Sequence, residues 1–386
     1  MYVAIGLTIL LIFASLLLKL ATGEAAHLDF GQLYAAGAMI SEGQTGYLYD
    51  LKAQTATQER VLRRPGVLPF ISPPFEALLF VPMAKIPYSQ AYLLWGAFNI
   101  ALYVWFAWMT RIVSGLSIYQ HLIACFGFFP LWLAVDLGQM TLVLLVLVTF
   151  SAFAVKREQD FRAGILLGLG LFRFQLLLPL LVFSLVQRRW RFLGGTALVG
   201  ALYLALSLWI VGFGGLWSYL RLLNNITETL GDSSSWNMPT IQCFFNLFFS
   251  PRPVIVKSLS IISGLALLGW LIHRASKLDE DHCLAALLFV SVLLTPYAHP
   301  YDLSLVLLGF FLANHTLGAR YWTMLLAYPL IAFVAGAFDE RLRVLWPLIG
   351  VPLILLATAL VLSEENRSYP WHKLFLFQTK IISHNE

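Results

Sequence analysis

The chain has 386 residues, and its 25 Lys and Arg with 20 Asp and Glu make up only 12% of it, against about 25% charged residues in a soluble domain. Apolar residues reach 59% and aromatics 15%, more than a water-exposed surface can accommodate at this length. A cytosolic enzyme, a nucleic-acid-binding module and a disordered chain are therefore excluded together, and an all-α polytopic membrane protein is expected.

The net charge of +5 suits cytoplasmic loops enriched in Lys and Arg. A span needs about 20 apolar residues. In chain order, charge-free runs occur at 2–18, 86–110, 112–135, 137–155, 192–220, 258–272, 283–301, 303–319, 321–338 and 344–363. The first run lacks a basic leader and a small-residue cleavage site, so it reads as a retained span and not a signal peptide. The run 163–187 is apolar except for Arg173. Basic loops precede and follow it, at Lys156, Arg157 and Arg162 and at Arg188, Arg189 and Arg191. If both are cytoplasmic, 163–187 goes out and returns as two short helices that meet near Arg173 and Gln175. Broken backbone of that kind is tolerated where it lines a cavity.

Counting through gives about twelve spans, with both termini cytoplasmic. A transmembrane domain then covers 1–362, outer loops 21–72 and 214–252 form one face, and 363–386 is a cytoplasmic tail. In the first outer loop, two amphipathic helices at 31–41 and 52–64 are expected to lie along the interface. The segment 73–85 reads as a partly inserted helix.

The polar residues that solvation does not explain gather on the outer face. Asp29 follows the first span, as a helix cap or as a base. Asp136 and Gln139 flank Gly138 in a turn between spans, a pattern that suits a tight turn and a site equally. Arg173 is costly in an apolar run, about 2.5–3.5 kcal/mol on insertion scales, and its guanidinium fork suits a phosphate. His299, Tyr301 and Asp302 sit in a short link between Pro296 and the following span. Asn237 belongs to the second outer loop, and Tyr34 and Tyr49 to the first. Cys125, Cys243 and Cys283 read as buried apolar side chains. No nucleotide-binding loop, no HExxH and no paired Cys/His ligands are present.

The order of motifs carries a family resemblance. Asp29-Phe30, Tyr34, Ala36-Gly37, Gly43 and Leu48-Tyr49-Asp50 are followed by Ser72-Pro73-Pro74-Phe75, Val81-Pro82, Leu94-Trp95 with Asn99, and the Gly138-Gln139 turn. This series resembles glycosyltransferase family 87, membrane enzymes of the GT-C fold that include polyprenyl-phosphate-mannose-dependent mannosyltransferases. Where that family commonly has Lys-Pro at the outer apex, this chain has Arg173-Phe174. The resemblance implies a polyprenyl-phosphate sugar as donor, a lipid or glycan acceptor, and inverting transfer on the non-cytoplasmic side of a bacterial plasma membrane. It makes Asp29 the general base. Arg173, with His299 and Gln139, would hold the donor phosphate, and Tyr34, Tyr49, Asp136, Gln175, Asn237, Tyr301 and Asp302 would line the substrate site. No metal, no further cofactor and no nucleic-acid partner is expected, membrane lipids aside. The other readings are a secondary transporter, and a flippase or polymerase of lipid-linked glycans.

Overall fold

A computed structural model describes residues 2–22, 29–63, 68–225 and 238–364. Residues 226–237 of the second outer loop, Asn237 among them, and the tail from 365 onward lie outside the described residues. The helices are α1 (Tyr2–Thr22), α2 (Asp29–Ser41), α3 (Leu51–Leu62), α4 (Pro74–Phe80), α5 (Tyr88–Thr110), α6 (Ile118–Gly127), α7 (Phe129–Leu137), α8 (Thr141–Lys156) and α9 (Asp160–Gly168). They continue with α10 (Phe174–Val186), α11 (Trp190–Asn224), α12 (Ile241–Phe249), α13 (Pro253–Arg274), α14 (Glu280–Leu294), α15 (Ser304–Leu312), α16 (Asn314–Phe338) and α17 (Leu345–Ser363). Among the described residues there is no strand.

The chain divides into two compact units. The first comprises Met1–Arg111, Leu116–Leu177 and Arg189–Ser235, and the second Ile112–Gly115, Leu178–Arg188 and Trp236–Glu386. Among the described residues, five helices are long and apolar enough to cross a bilayer, or up to seven if each of two bent pairs is one span. The chain is therefore a polytopic membrane protein, but the charge-free runs do not map one to one onto spanning helices. The run 112–135 is broken at Phe128 into α6 and α7, bent by 45°. The run 303–319 yields α15, which is 9 residues long.

Two expectations about the outer loops change. The helix α2 is not an amphipathic surface helix, because nine of its 13 residues are buried. Its one aromatic flank explains this: Phe30 packs on Tyr34, Phe80, Tyr88, Tyr92 and Trp95, with centroids 5.7–6.3 Å apart, and a helix that is apolar all round is a buried one. The second outer loop, 214–252, is helical where it begins. Gly212 takes φ 64 and ψ −176, a conformation that favours glycine, and helix resumes beyond it to Asn224.

The packing of α9 on α11 places Arg173. A Cβ at Gly164 would stand 1.9 Å from the Phe192 carbonyl oxygen, and one at Gly195 2.2 Å from that of Phe161. Only glycine lets two helix backbones approach this closely, the small-residue packing of membrane helices. The Thr196 hydroxyl donates to the Gly164 carbonyl at 3.0 Å and the Tyr203 hydroxyl to that of Leu169 at 3.2 Å. Early α9 thus lies on early α11, and late α9 on later α11. The two helices run parallel, and an ion pair joins Arg189 to Asp160 at their starts. The chain between Leu169 and Arg189 must therefore go out and come back. The break falls at Leu169–Gly170, and the turn Leu171–Arg173 follows it.

In the second unit, Arg274 closes the end of α17. Its guanidinium donates to the Leu362 carbonyl at 2.7 Å and to those of Ser363 and Glu364 at 3.4 and 3.3 Å, the last-turn acceptors that a helix leaves unfilled.

Candidate functional site

The site of the first unit is built on the turn between α7 and α8. Gly138 ends α7 with φ 70 and ψ 37, and the Gln139 N–H returns to the Ala134 carbonyl at 2.9 Å, a left-handed helix cap. The Trp95 indole fixes the same turn by donating to the Gly138 carbonyl at 2.8 Å. A Cβ at 138 would meet Phe30 Cβ at 2.7 Å, so the turn rests directly on the start of α2. That contact brings Gln139 beside Asp29.

Gln139 joins the two charges that sequence reasoning singled out. Its amide N–H donates to Asp29 Oδ2, and its amide oxygen accepts from the Arg173 guanidinium at 2.5 Å. The polarity is dictated by chemistry, because a carboxylate only accepts and a guanidinium only donates. Asp29 stands at the head of α2, which is too short to cross a bilayer. Burial raises the pKa of its carboxyl above the ordinary range, while the Gln139 hydrogen bond and the Arg173 charge pull the other way. The result is a carboxylate that holds a proton more readily than a solvated one, as a base requires.

Glu76, absent from the sequence candidates, belongs to this cluster. It sits in α4, 7 residues long, with a side chain 2% exposed. The Ser72 side chain hydrogen-bonds to it and the Arg173 charge acts on it, yet burial pushes its carboxyl up to about 7. Among the described residues its Oε2 has no hydrogen-bond partner. The segment before α4 is held from α3: Gln54 donates to the Leu48 and Phe70 carbonyls at 2.7 and 3.2 Å and accepts from the Phe70 N–H at 2.8 Å, and Gln58 donates to the Leu68 carbonyl at 2.6 Å. The signal for Glu76 lay in the sequence. It is the one charge between Arg64 and Lys85, isolated in the way that marked Arg173.

Other candidates are placed elsewhere. The Asp136 carboxylate is taken up by α1, pairing with Lys19 and accepting from the Ser15 hydroxyl at 2.9 Å. It locks the first helix to α7. The Tyr34 and Tyr49 hydroxyls donate to the Ile86 and Ser72 carbonyls at 2.9 and 2.7 Å, so both brace backbone. Gln175 is half-buried, in the first turn of α10. In the second unit, His299 and Asp302 open the turn Pro300–Leu303 by capping each other's backbone N–H, with His299 N to Asp302 Oδ2 at 3.0 Å. The rings of His299 and Tyr301 lie 5.3 Å apart. All three cysteines are buried, and none forms a disulfide.

In a protein with several helices of bilayer length, the ends and turns of shorter helices bring a half-buried acid, an amide and a guanidinium into one series. The model of glycosyltransferase family 87 matches residues 70–298, more than half of the chain. The chain therefore belongs to that family and is a membrane glycosyltransferase, acting on a sugar donor and an acceptor. The match takes in Glu76, Gln139 and Arg173 and leaves Asp29, Tyr34 and Tyr49 ahead of it. No curated protein matches the chain.

Proposed function

We propose that this glycosyltransferase moves a sugar, mannose or another hexose or pentose, from a polyprenyl-phosphate donor to a lipid- or glycan-linked acceptor. Transfer takes place on the non-cytoplasmic side, with inversion, in a GT-C-type fold. The observation that carries this reading is the Asp29–Gln139–Arg173 series. A carboxylate and a guanidinium one amide apart support the two roles, proton acceptor and anion binder, that transfer from a phosphodiester needs.

In this reading the acceptor hydroxyl gives its proton to Asp29 as its oxygen attacks the anomeric carbon. The bond from that carbon to the phosphate oxygen breaks, and its electron pair leaves on the phosphate, which becomes a monoester. Added charge on the leaving oxygen is offset by Arg173, whose fixed position requires no rearrangement during the step. Gln139 keeps the two apart, so that Asp29 is not neutralised by direct pairing with Arg173. No metal or further cofactor enters the step.

The test is transfer by purified protein in proteoliposomes from radiolabelled polyprenyl-phosphate sugars. Asp29→Asn should lose activity by about 10²–10⁴-fold, the scale of a general base, while remaining folded. Full activity in that variant refutes the base assignment. Donor that crosses the bilayer without bond exchange would favour the transporter reading. Activity that survives a chelator is expected, and loss restored by a divalent ion would contradict the metal-free step.

A further inference from the structure

Glu76 has a place in the site that the base and the phosphate-binding group do not explain. Its carboxylate is buried, and among the described residues its Oε2 lacks a hydrogen-bond partner, a state that is costly for a buried polar group and more so for a charged one. The groups that act on it are Arg173 from the turn before α10, Ser72, Tyr49 from the link before α3, and Tyr203 and Tyr219 from α11. Arg173 is the cation among them, and Asp29 already draws on the same guanidinium through Gln139.

A phosphodiester on Arg173 would bring a third negative charge to one positive charge in a desolvated cluster. Like charges gathered in one site raise each other's proton affinity until one of them is neutralised. Asp29 has to remain ionised to act as a base, and the Gln139 N–H stabilises that state. Glu76 Oε2 has no such donor, so Glu76 is the group that yields. We propose that Glu76 is a positioning residue that acts through Arg173: it takes up a proton from solvent when a phosphate-bearing ligand settles on the guanidinium, so that ligand binding and Glu76 protonation are linked. This rests on the reading of Arg173 as the phosphate site. The carboxyl, pushed up to about 7 by burial, is poised to change state near neutral pH.

The experiment uses the full chain in nanodiscs and, as probe, a farnesyl methyl phosphodiester, which carries one fixed negative charge between about pH 5 and pH 9. The dissociation constant should be constant below about 7 and rise about tenfold per pH unit above it, and Glu76→Gln should abolish the rise. An equal rise in both proteins, or none in the wild type, overturns the proposal. A second measurement needs no variant: at pH above 7 the heat of binding should depend on the buffer's ionisation enthalpy by an amount that reports about one proton taken up. A value of zero overturns the linkage alone and leaves the phosphate site standing. Failure of the wild type to bind the probe at any pH overturns both.

Discussion

At the scale of single residues, the cluster is governed by what each carboxylate is allowed to touch. Gln139 donates to Asp29 and so favours its ionised form. Removing that donor, as in Gln139→Leu, should raise the Asp29 pKa further and move the acidic limb of kcat/KM against pH to higher pH; an unmoved limb would separate Asp29 from catalysis or Gln139 from Asp29. Glu76 makes the opposite point about stability. Its pKa rises from an ordinary 4.5 to about 7 on folding. The folded chain thus keeps a proton that the unfolded chain has released, and stability from this source is full below 4.5 and lost as pH climbs to about 7. Glu76→Gln, always neutral, should gain on the wild type across that window by up to about 3 kcal/mol, since each tenfold change in proton affinity is worth about 1.4 kcal/mol. Thermal unfolding in detergent should show a larger Tm difference at high pH than at low pH, and a constant difference would contradict it. Arg173 and Asp29 were readable from sequence because each is a charge beside hydrocarbon. Glu76 offered the same signal, masked by its position just after Pro73-Pro74, where an acid is ordinary in a first helical turn. The pairing of Asp136 was not legible for a related reason: its partner, Lys19, lies 117 residues away in another helix, and no local pattern pairs them.

At the scale of elements, two backbone contacts hold the turn that carries Arg173. Gly164→Ala would drive a Cβ into the Phe192 carbonyl, and Gly195→Ala one into that of Phe161, at 1.9 and 2.2 Å. Neither obstacle is a side chain that can swing away, so α9 and α11 must separate. Each variant should lose about 1–3 kcal/mol of stability, the usual range for overpacking, together with donor affinity, because the Leu171–Arg173 turn moves with α9. Gly214→Ala is the control. It lies in helical α11 with nothing within 4 Å of its added Cβ, and should be neutral or gain about 0.5–1 kcal/mol. Equal losses at 164 and 214 would refute the tight crossing. Hydropathy alone located these helices but not their partners. The lone Arg173 marked where 163–187 must break, yet that α9 lies parallel to α11 follows from glycines whose role appears only when the two helices meet.

At the scale of the whole molecule, the number of crossings depends on whether the stretch from α9 through α10 crosses the bilayer or returns. The ion pair between Arg189 and Asp160 and the parallel run of α9 and α11 require the return. Loops 156–162 and 188–191 are then expected on one side of the membrane, which the positive-inside rule predicts to be cytoplasmic. A single crossing would instead put these basic loops on opposite sides and leave Arg173 in mid-bilayer, at about 2.5–3.5 kcal/mol on insertion scales. Labelling of introduced cysteines separates the two arrangements, since Cys125, Cys243 and Cys283 are buried and should remain silent toward an impermeant maleimide. Arg157→Cys and Arg191→Cys, both at exposed positions, should be labelled from the same side of sealed vesicles. Tyr47→Cys, at a residue 64% exposed in the link between α2 and α3, should be labelled from the other side, where the proposed transfer takes place. Labelling of positions 157 and 191 from opposite sides would turn α9 and α10 into one broken span. Labelling of all three from one side would keep the hairpin and move the Asp29 site to the cytoplasmic face, so that the donor would have to be met there.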